Sequence, residues 1–167
     1  MEIQVTFMEA FEHDLKEHKI QKRWADKGRT NLKELGINTW ADLLECEYKD
    51  LLDVRPVSVS EILLRMRSKE TVILKFYATM KILCDHDISV RLYNCLARVY
   101  GPHLMLEDFI NRSDDELLQI KGIGKKSLDF FHKLRESYDL MDKYIENIIK
   151  LRNDLRIAET NLLKEEK

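Results

Sequence analysis

The sequence predicts an all-α protein, and three observations carry that expectation. Leu, Ile, Lys and Glu dominate a chain of 167 residues that has only two prolines and five glycines to interrupt helices. Alternating β-branched stretches are nearly absent, whereas apolar residues recur at three- and four-residue spacing along most of the length. A hydrophobic content of 44% is enough to bury a core, in one domain or two small ones.

Taken in order, the chain reads as five segments, the first being 1–19. There Phe7, Met8, Phe11 and Leu15 form the apolar face of a helix over Thr6 to about Lys19, which needs a partner surface. Segment 20–68 opens with a basic stretch around Trp24, which is either a core anchor, the commoner role of a Trp, or an aromatic set among cations. A short helix through Asn31, Leu32 and Leu35 stops at Gly36, Thr39 caps the next, and Asp50–Val54 leads into Arg55–Leu63. Segment 69–86 reads as a connecting helix with Val72, Ile73, Phe76, Tyr77, Met80 and Leu83 along one stripe. In 87–136 a helix starts after Asp87 or Ser89 and ends at Gly101-Pro102, Leu104–Asn111 forms the next, and Ser113 with Glu116 makes a capping box. Segment 137–167 reads as one helix from Tyr138 to about Glu165. Its Met141, Tyr144, Ile148, Leu151, Leu155, Ala158 and Leu162 either close a homodimeric coiled coil or fold back on the first unit or the amino-terminal helix.

The most informative stretch is Leu117–Leu128, where two of the five glycines fall: Leu117-Leu118-Gln119-Ile120-Lys121-Gly122-Ile123-Gly124-Lys125-Lys126-Ser127-Leu128. An apolar group, a Gly-Ile-Gly turn and a second apolar run describe two short helices joined by a hairpin. If the second helix begins near Gly124, its unpaired N–H groups and positive dipole end face outward beside Lys125 and Lys126, ready for a phosphate. The blander reading is a glycine cap before an ordinary helix with solvated lysines. The acidic run at Glu107, Asp108 and Asp114–Glu116 reads as solvated helix N-termini.

The first half echoes the second. Asp50, Leu51, Leu52, Val54, Val57 and Ile62 precede Glu116, Leu117, Leu118, Ile120, Ile123 and Leu128 by a constant 66 residues, which predicts an internal repeat. At that offset the first copy has Pro56 and Ser58 for the glycines, and Val59 and Ser60 for Lys125 and Lys126. Its hairpin should not hold a phosphate well, and packing or protein contact is the role read for residues 20–68.

Ser89-Val90-Arg91 with Asn94-Cys95-Leu96, followed by Gly124-Lys125-Lys126-Ser127-Leu128, resembles the C-terminal domain of the bacterial RNA polymerase alpha subunit over residues 87–136. That resemblance implies a compact helical unit that binds AT-rich promoter DNA across the minor groove and contacts transcription activators. It implies that Arg91 enters the groove, that Asn94 and Cys95 lie at its edge, and that Gly124, Lys126 and Ser127 contact the phosphate backbone. An arginine in a narrow groove reads shape, while backbone N–H and lysine contacts set register. Leu92, Tyr93, Gly122 and Phe130 depart from the residues usual at their positions. With Gly122 and Lys125 of the hairpin, the candidate DNA-binding set is Arg91, Asn94, Cys95, Gly122, Gly124, Lys125, Lys126 and Ser127.

The expectation is a non-catalytic, cytoplasmic DNA-binding protein associated with transcription, whose partner is double-stranded AT-rich DNA, with RNA polymerase or a transcription factor as a further candidate partner and a homodimer through 138–165 as one of the two options for the tail. The alternative is an adaptor that binds polymerase or another protein without touching DNA, which the formal charge of −2 favours. No metal or cofactor is expected: Cys46, Cys84 and Cys95 lack C-x-x-C spacing and read as buried thiols, and the five histidines lack ligand spacing or a nucleophile nearby. No run approaches the roughly 18 apolar residues of a membrane span.

Overall fold

The computed structural model describes residues 3–137 and 139–166. Its helices are α1 (Phe7–Glu17), α2 (Lys22–Leu35), α3 (Trp40–Glu45), α4 (Tyr48–Leu52), α5 (Val57–Asp85), α6 (Val90–Tyr100), α7 (Leu106–Phe109), α8 (Asp114–Leu118), α9 (Lys125–Glu136) and α10 (Leu140–Glu165). Among the described residues there is no strand, and the all-α expectation is met. No helix of the described residues is long and apolar enough to cross a membrane.

The protein divides into two compact units, Met1–Thr71 with Leu151–Lys167, and Val72–Lys150. The five expected segments are gathered differently by these units. No glycine or proline interrupts Val57–Asp85, so α5 runs unbroken past the expected boundary at 68/69 and contributes residues to both units.

In the first unit, Thr6 caps α1 by accepting from the Glu9 N–H at 3.3 Å, and Phe7, Phe11 and Leu15 are buried along one face. They join a core with Leu32, Ile37, Leu43, Leu51, Val54, Val59, Ile62, Leu63 and Met66. Burying each large apolar side chain contributes about 1.5–3 kcal/mol. α2 can approach α5 because position 28 is glycine: a Cβ there would lie 2.9 Å from Val59 Cγ1. Gly36 closes α2 in the left-handed conformation (φ 72°), and Thr39 with Asp42 forms a capping box on α3.

The end of α10 also belongs to this unit, and its anchor is Glu159, which is fully buried. Its Oε1 accepts from the Phe7 N–H and its Oε2 from the Trp40 N–H, both at 2.8 Å. One carboxylate thereby satisfies first-turn donors of α1 and α3 at their positive ends. Burial pushes this carboxyl above its usual range, and the two backbone bonds oppose that shift. Arg156 adds contacts to Asp42 at 3.3 Å and Glu45 at 2.8 Å. Residues of the tail therefore pack back on the first unit, one of the two arrangements open to it from sequence. The expected start of this helix at Tyr138 lies outside the described residues.

In the second unit, Leu74, Ala78, Ile82 and Leu83 of α5 pack in a core with Leu96, Leu104, Leu106, Phe109, Leu117, Phe131, Leu134, Leu140 and Tyr144. Phe109 and Phe131 meet edge to face at 6.0 Å. Thr79 Oγ1 accepts from the Leu106 N–H at 2.9 Å and so caps the start of α7 from another helix. Tyr144 donates to Glu107 Oε2 at 3.1 Å, and Lys75 lies 3.4 Å from the other oxygen.

Three local expectations need correction. α7 is the four-residue Leu106–Phe109 rather than 104–111, because its first turn is set by the Thr79 and Asp108 caps. Only half of the capping box on α8 forms: Ser113 accepts from the Glu116 N–H at 3.2 Å, while the Glu116 carboxylate lies 3.7 Å from Arg112. Cys84 is exposed and Cys46 is half-buried, leaving Cys95 as the buried thiol.

Candidate nucleic-acid interface

α6 is fixed at its start by Ser89, whose Oγ accepts from the Leu92 N–H at 3.1 Å. Leu92, Cys95 and Leu96 turn inward, which leaves Arg91 and Asn94 exposed on the outer edge. Arg98, one turn beyond Asn94, is exposed as well. It was absent from the expected set, although the spacing 91, 94 and 98 of a single helix face pointed to it.

The hairpin follows α8. Ile123 is 6% exposed and anchors the turn from within, its N–H bonded to the Ile120 carbonyl at 3.1 Å. Gly122 stands at φ 93°, where side chains are strained, and a Cβ on it would lie 2.6 Å from Cys95 Sγ. This close approach seats α6 against the hairpin and explains why both positions are small.

Gly124 then caps α9 in extended conformation, with open space where a Cβ would stand. Its carbonyl accepts from the Ser127 and Leu128 N–H groups at 3.0 and 3.3 Å, so the N–H groups of Lys125 and Lys126 precede the first bonds of the helix. Both lysines are exposed, Lys121 is exposed on the other side of the turn, and Ser127 is half-buried. Leu128, Phe131 and Leu134 hold α9 in the core. The result is an open helix end with free donors between solvated cations, which is the local chemistry of a phosphate cradle.

The eight expected residues thus separate. Gly122, Gly124, Lys125, Lys126 and Ser127 are brought together at one turn, and Arg91 and Asn94 lie on the helix that packs against it. Cys95, expected at the groove edge, is 4% exposed beneath Gly122. Helix periodicity turns it inward, away from Arg91 and Asn94, and its thiol supports the turn from inside.

The acidic run before the hairpin is partly neutralised by α9. Both oxygens of Asp114 lie within 3.0 Å of His132 Nε2, and Arg135 reaches Asp114 at 3.4 Å and the Ile110 and Arg112 carbonyls at 3.0 and 2.6 Å. The bond to His132, with help from Arg135, holds the Asp114 carboxyl below its usual range.

Four helices with a Gly-Ile-Gly turn before the last define this unit as one of helix-hairpin-helix type. The family model for the C-terminal domain of the bacterial RNA polymerase alpha subunit matches residues 80–136. Over 56 residues the protein is 41% identical to the DNA-directed RNA polymerase subunit alpha of Chlorobium phaeobacteroides, a match spanning 34% of this sequence and 16% of that protein. The subunit alpha of Mycoplasmoides gallisepticum is 44% identical over 55 residues, 32% of this sequence and 16% of its own length. That of Desulforudis audaxviator is 44% identical over 43 residues, 26% and 13% of the two proteins. Residues 80–136 are therefore a segment similar to the alpha C-terminal domain, and the match spans only about a sixth (16%) of the relatives' length. No solved structure matches this protein.

Proposed function

We propose that this protein is a non-catalytic, transcription-associated DNA-binding protein that grips duplex DNA through residues 87–136. The observation that carries this reading is the open start of α9: Gly124 with free space around it, two exposed lysines, and backbone donors not yet used by the helix. Lys125, Lys126, Ser127 and the Gly122–Gly124 backbone would take phosphates, setting register without reading sequence. Arg91 and Asn94 would reach the minor groove, where AT-rich tracts concentrate negative potential. The likeness to polymerase alpha subunits supports the same assignment and extends the partners to RNA polymerase or a transcription factor.

Fluorescence anisotropy with a labelled A-tract duplex tests it. Lys126→Ala should weaken binding and lower the slope of log K against log salt by about 0.9, the value for one lost phosphate contact. An unchanged affinity and slope would remove the hairpin from the DNA site. Arg91→Ala should reduce the preference for A-tract over mixed-sequence DNA, with less effect on the slope.

A second reading, that the protein is an adaptor for polymerase, is favoured by the acidic groove lined by Glu34, Asp50 and Asp53 beside the first hairpin. Capture of polymerase from nuclease-treated lysate supports it, and loss of polymerase on nuclease treatment counts against it. Exposed Ile145 and Ile149 on the second-unit part of α10 support self-association through 138–165, which sedimentation equilibrium would read as a dimer.

We further read the two units as repeats of one helical design. Gly36 closes α2 and Gly101 closes α6 with positive φ, and Asp42 and Asp108 each accept from the N–H three residues before, at 3.1 and 3.0 Å.

A further inference from the structure

The basic stretch around Trp24 is not absorbed by the hairpin of the second unit. Trp24 is half-buried yet stands outside the core cluster of the first unit among the described residues. The Arg23 guanidinium lies over its ring, 4.3 Å from the centroid, and Lys27 Nζ is 5.8 Å from the same centroid. Among the described residues, neither Arg23 nor Lys27 has a carboxylate within ion-pair distance. Arg29, by contrast, is held by Glu12 at 2.7 Å and Asp26 at 2.6 Å, so it and these two carboxylates are already spent on one another.

The place of this set in the unit matters as much as its charge. On α2 Asn31 bonds the hairpin, its Oδ1 accepting from the Arg55 N–H at 3.0 Å; on α6 Cys95 lies beneath Gly122 of the other. One helical turn before each stands an exposed cation, Lys27 and Arg91 respectively. α2 has 14 residues against 11 in α6, so it extends this edge toward its start and adds Arg23 and Trp24.

We propose that Arg23, Trp24 and Lys27 form a second binding surface for the phosphate backbone of duplex DNA, carried by the first unit. An arginine stacked on an indole keeps its planar donors oriented and is weakly hydrated, which suits bidentate contact with a phosphate. Arg23 and Lys27 are separated by one turn, about 6 Å of helix rise, close to the roughly 7 Å of axis covered by two steps of one DNA strand. Glu34, Asp50 and Asp53 line the groove at the other end of α2 and repel phosphate from the first hairpin turn. The strand is thereby confined to the beginning of α2. This surface goes beyond the second-unit reading and does not depend on it.

The test uses the full-length protein, a short labelled AT-rich duplex and a series of salt concentrations. Arg23→Gln with Lys27→Gln should weaken binding by about threefold to tenfold and lower the salt slope by about 1.8, the value for two phosphate contacts. Duplex should quench tryptophan emission in the parent protein, and Trp24→Phe, which leaves Trp40 in place, should abolish the quench. Unchanged affinity and slope in the double variant would overturn the proposal. So would emission that ignores duplex but responds to poly-glutamate, which would make the surface one for acidic protein. Failure of the second-unit reading shows instead in Lys125→Ala with Lys126→Ala, so the two outcomes are separable.

Discussion

Leu51 in the first unit and Leu117 in the second are both fully buried and each lies in a five-residue helix, yet the turns that follow differ in length. α4 ends at Leu52 and α5 begins at Val57, whereas α8 ends at Leu118 and α9 begins at Lys125. The helix-opening bonds show the shift: Val59 and Ser60 donate to the Pro56 carbonyl as Ser127 and Leu128 donate to that of Gly124. The offset of 66 thus opens to 68, since 124 − 56 = 68. Burial follows the new register, with Ser60, Leu63 and Met66 inside where Leu128, Phe131 and Leu134 are inside. Val57 and Ser58, both exposed, take the places of Lys125 and Lys126, which corrects the expectation that Val59 and Ser60 did.

This difference teaches what a phosphate-ready turn requires. The longer turn accommodates Gly122 at positive φ and ends on a glycine with open space, so the start of the next helix is accessible. The shorter turn ends on a proline, which has no N–H to offer, and Val59 is drawn into the core beside Gly28. The first hairpin has neither the lysines nor the backbone geometry that would make lysines useful.

Grafting charge onto the first unit should break the comparison most severely. Val59→Lys buries an ammonium at a fully buried site and should cost about 3–5 kcal/mol, seen as early loss of the first unit in urea unfolding, with no gain in DNA affinity. Gly122→Ala should cost about 2 kcal/mol, because it suffers both the positive φ and the approach to Cys95 Sγ; Cys95→Ala should recover only part of this in a double-mutant cycle. Gly28→Ala, which meets Val59 without positive φ, should cost less and be recovered more fully by Val59→Ala.

Gly124→Asp separates folding from binding. Asp is a favoured N-cap and nothing crowds its Cβ, so urea unfolding should show unchanged or slightly raised stability. The added carboxylate should nonetheless lower DNA affinity by about tenfold, or about 1.4 kcal/mol. Equal losses of stability and affinity would mean that the position acts through the fold.

The smallest effect is in pH. Glu159 and Glu70 have carboxyls raised above the ordinary 4.5, chiefly by burial, so their contribution to the first unit is fully present below that value and is lost as pH rises through the raised ones. Asp114, lowered from 3.8 chiefly by His132, contributes stability above that value which is lost as pH falls through the lowered one. Mild acidification should therefore favour the first unit through Glu159 and Glu70, opposed there by Glu12, whose carboxyl Arg29 holds below its usual range, and stronger acid should loosen the Asp114 contacts of the second. Amide exchange at several pH values reads both, with Glu159→Gln and Asp114→Asn removing the respective trends.

Much of this was legible in local chemistry. Thr39, Ser89 and Ser113 are caps because a side-chain oxygen needs only an N–H three residues on, and Gly36 closes α2 through bonds within its own last turn. The hairpin with its lysines was legible for the same reason. Cys95 is the buried thiol its residue type suggests and not the groove-edge residue that the resemblance implies, and its helix position alone does not say which turn lies above it. Trp24 could be read two ways because its company in sequence, Arg23 and Lys27, is the same whether the ring faces the core or the solvent.

By itself the sequence determined the all-α class, the caps, the stop at Gly36 and the presence of a Gly-Ile-Gly turn before a basic helix start, all properties of residues within a few positions of one another. Tertiary structure decided that α5 is shared between two units, that the first turn is two residues shorter, and that Cys95 lies under Gly122. It also decided that Glu159 joins residues 152 and 119 positions away in the sequence. Such contacts depend on which surfaces meet when the core closes, and burial then gives the same carboxylate, thiol or valine a role that its local pattern does not carry.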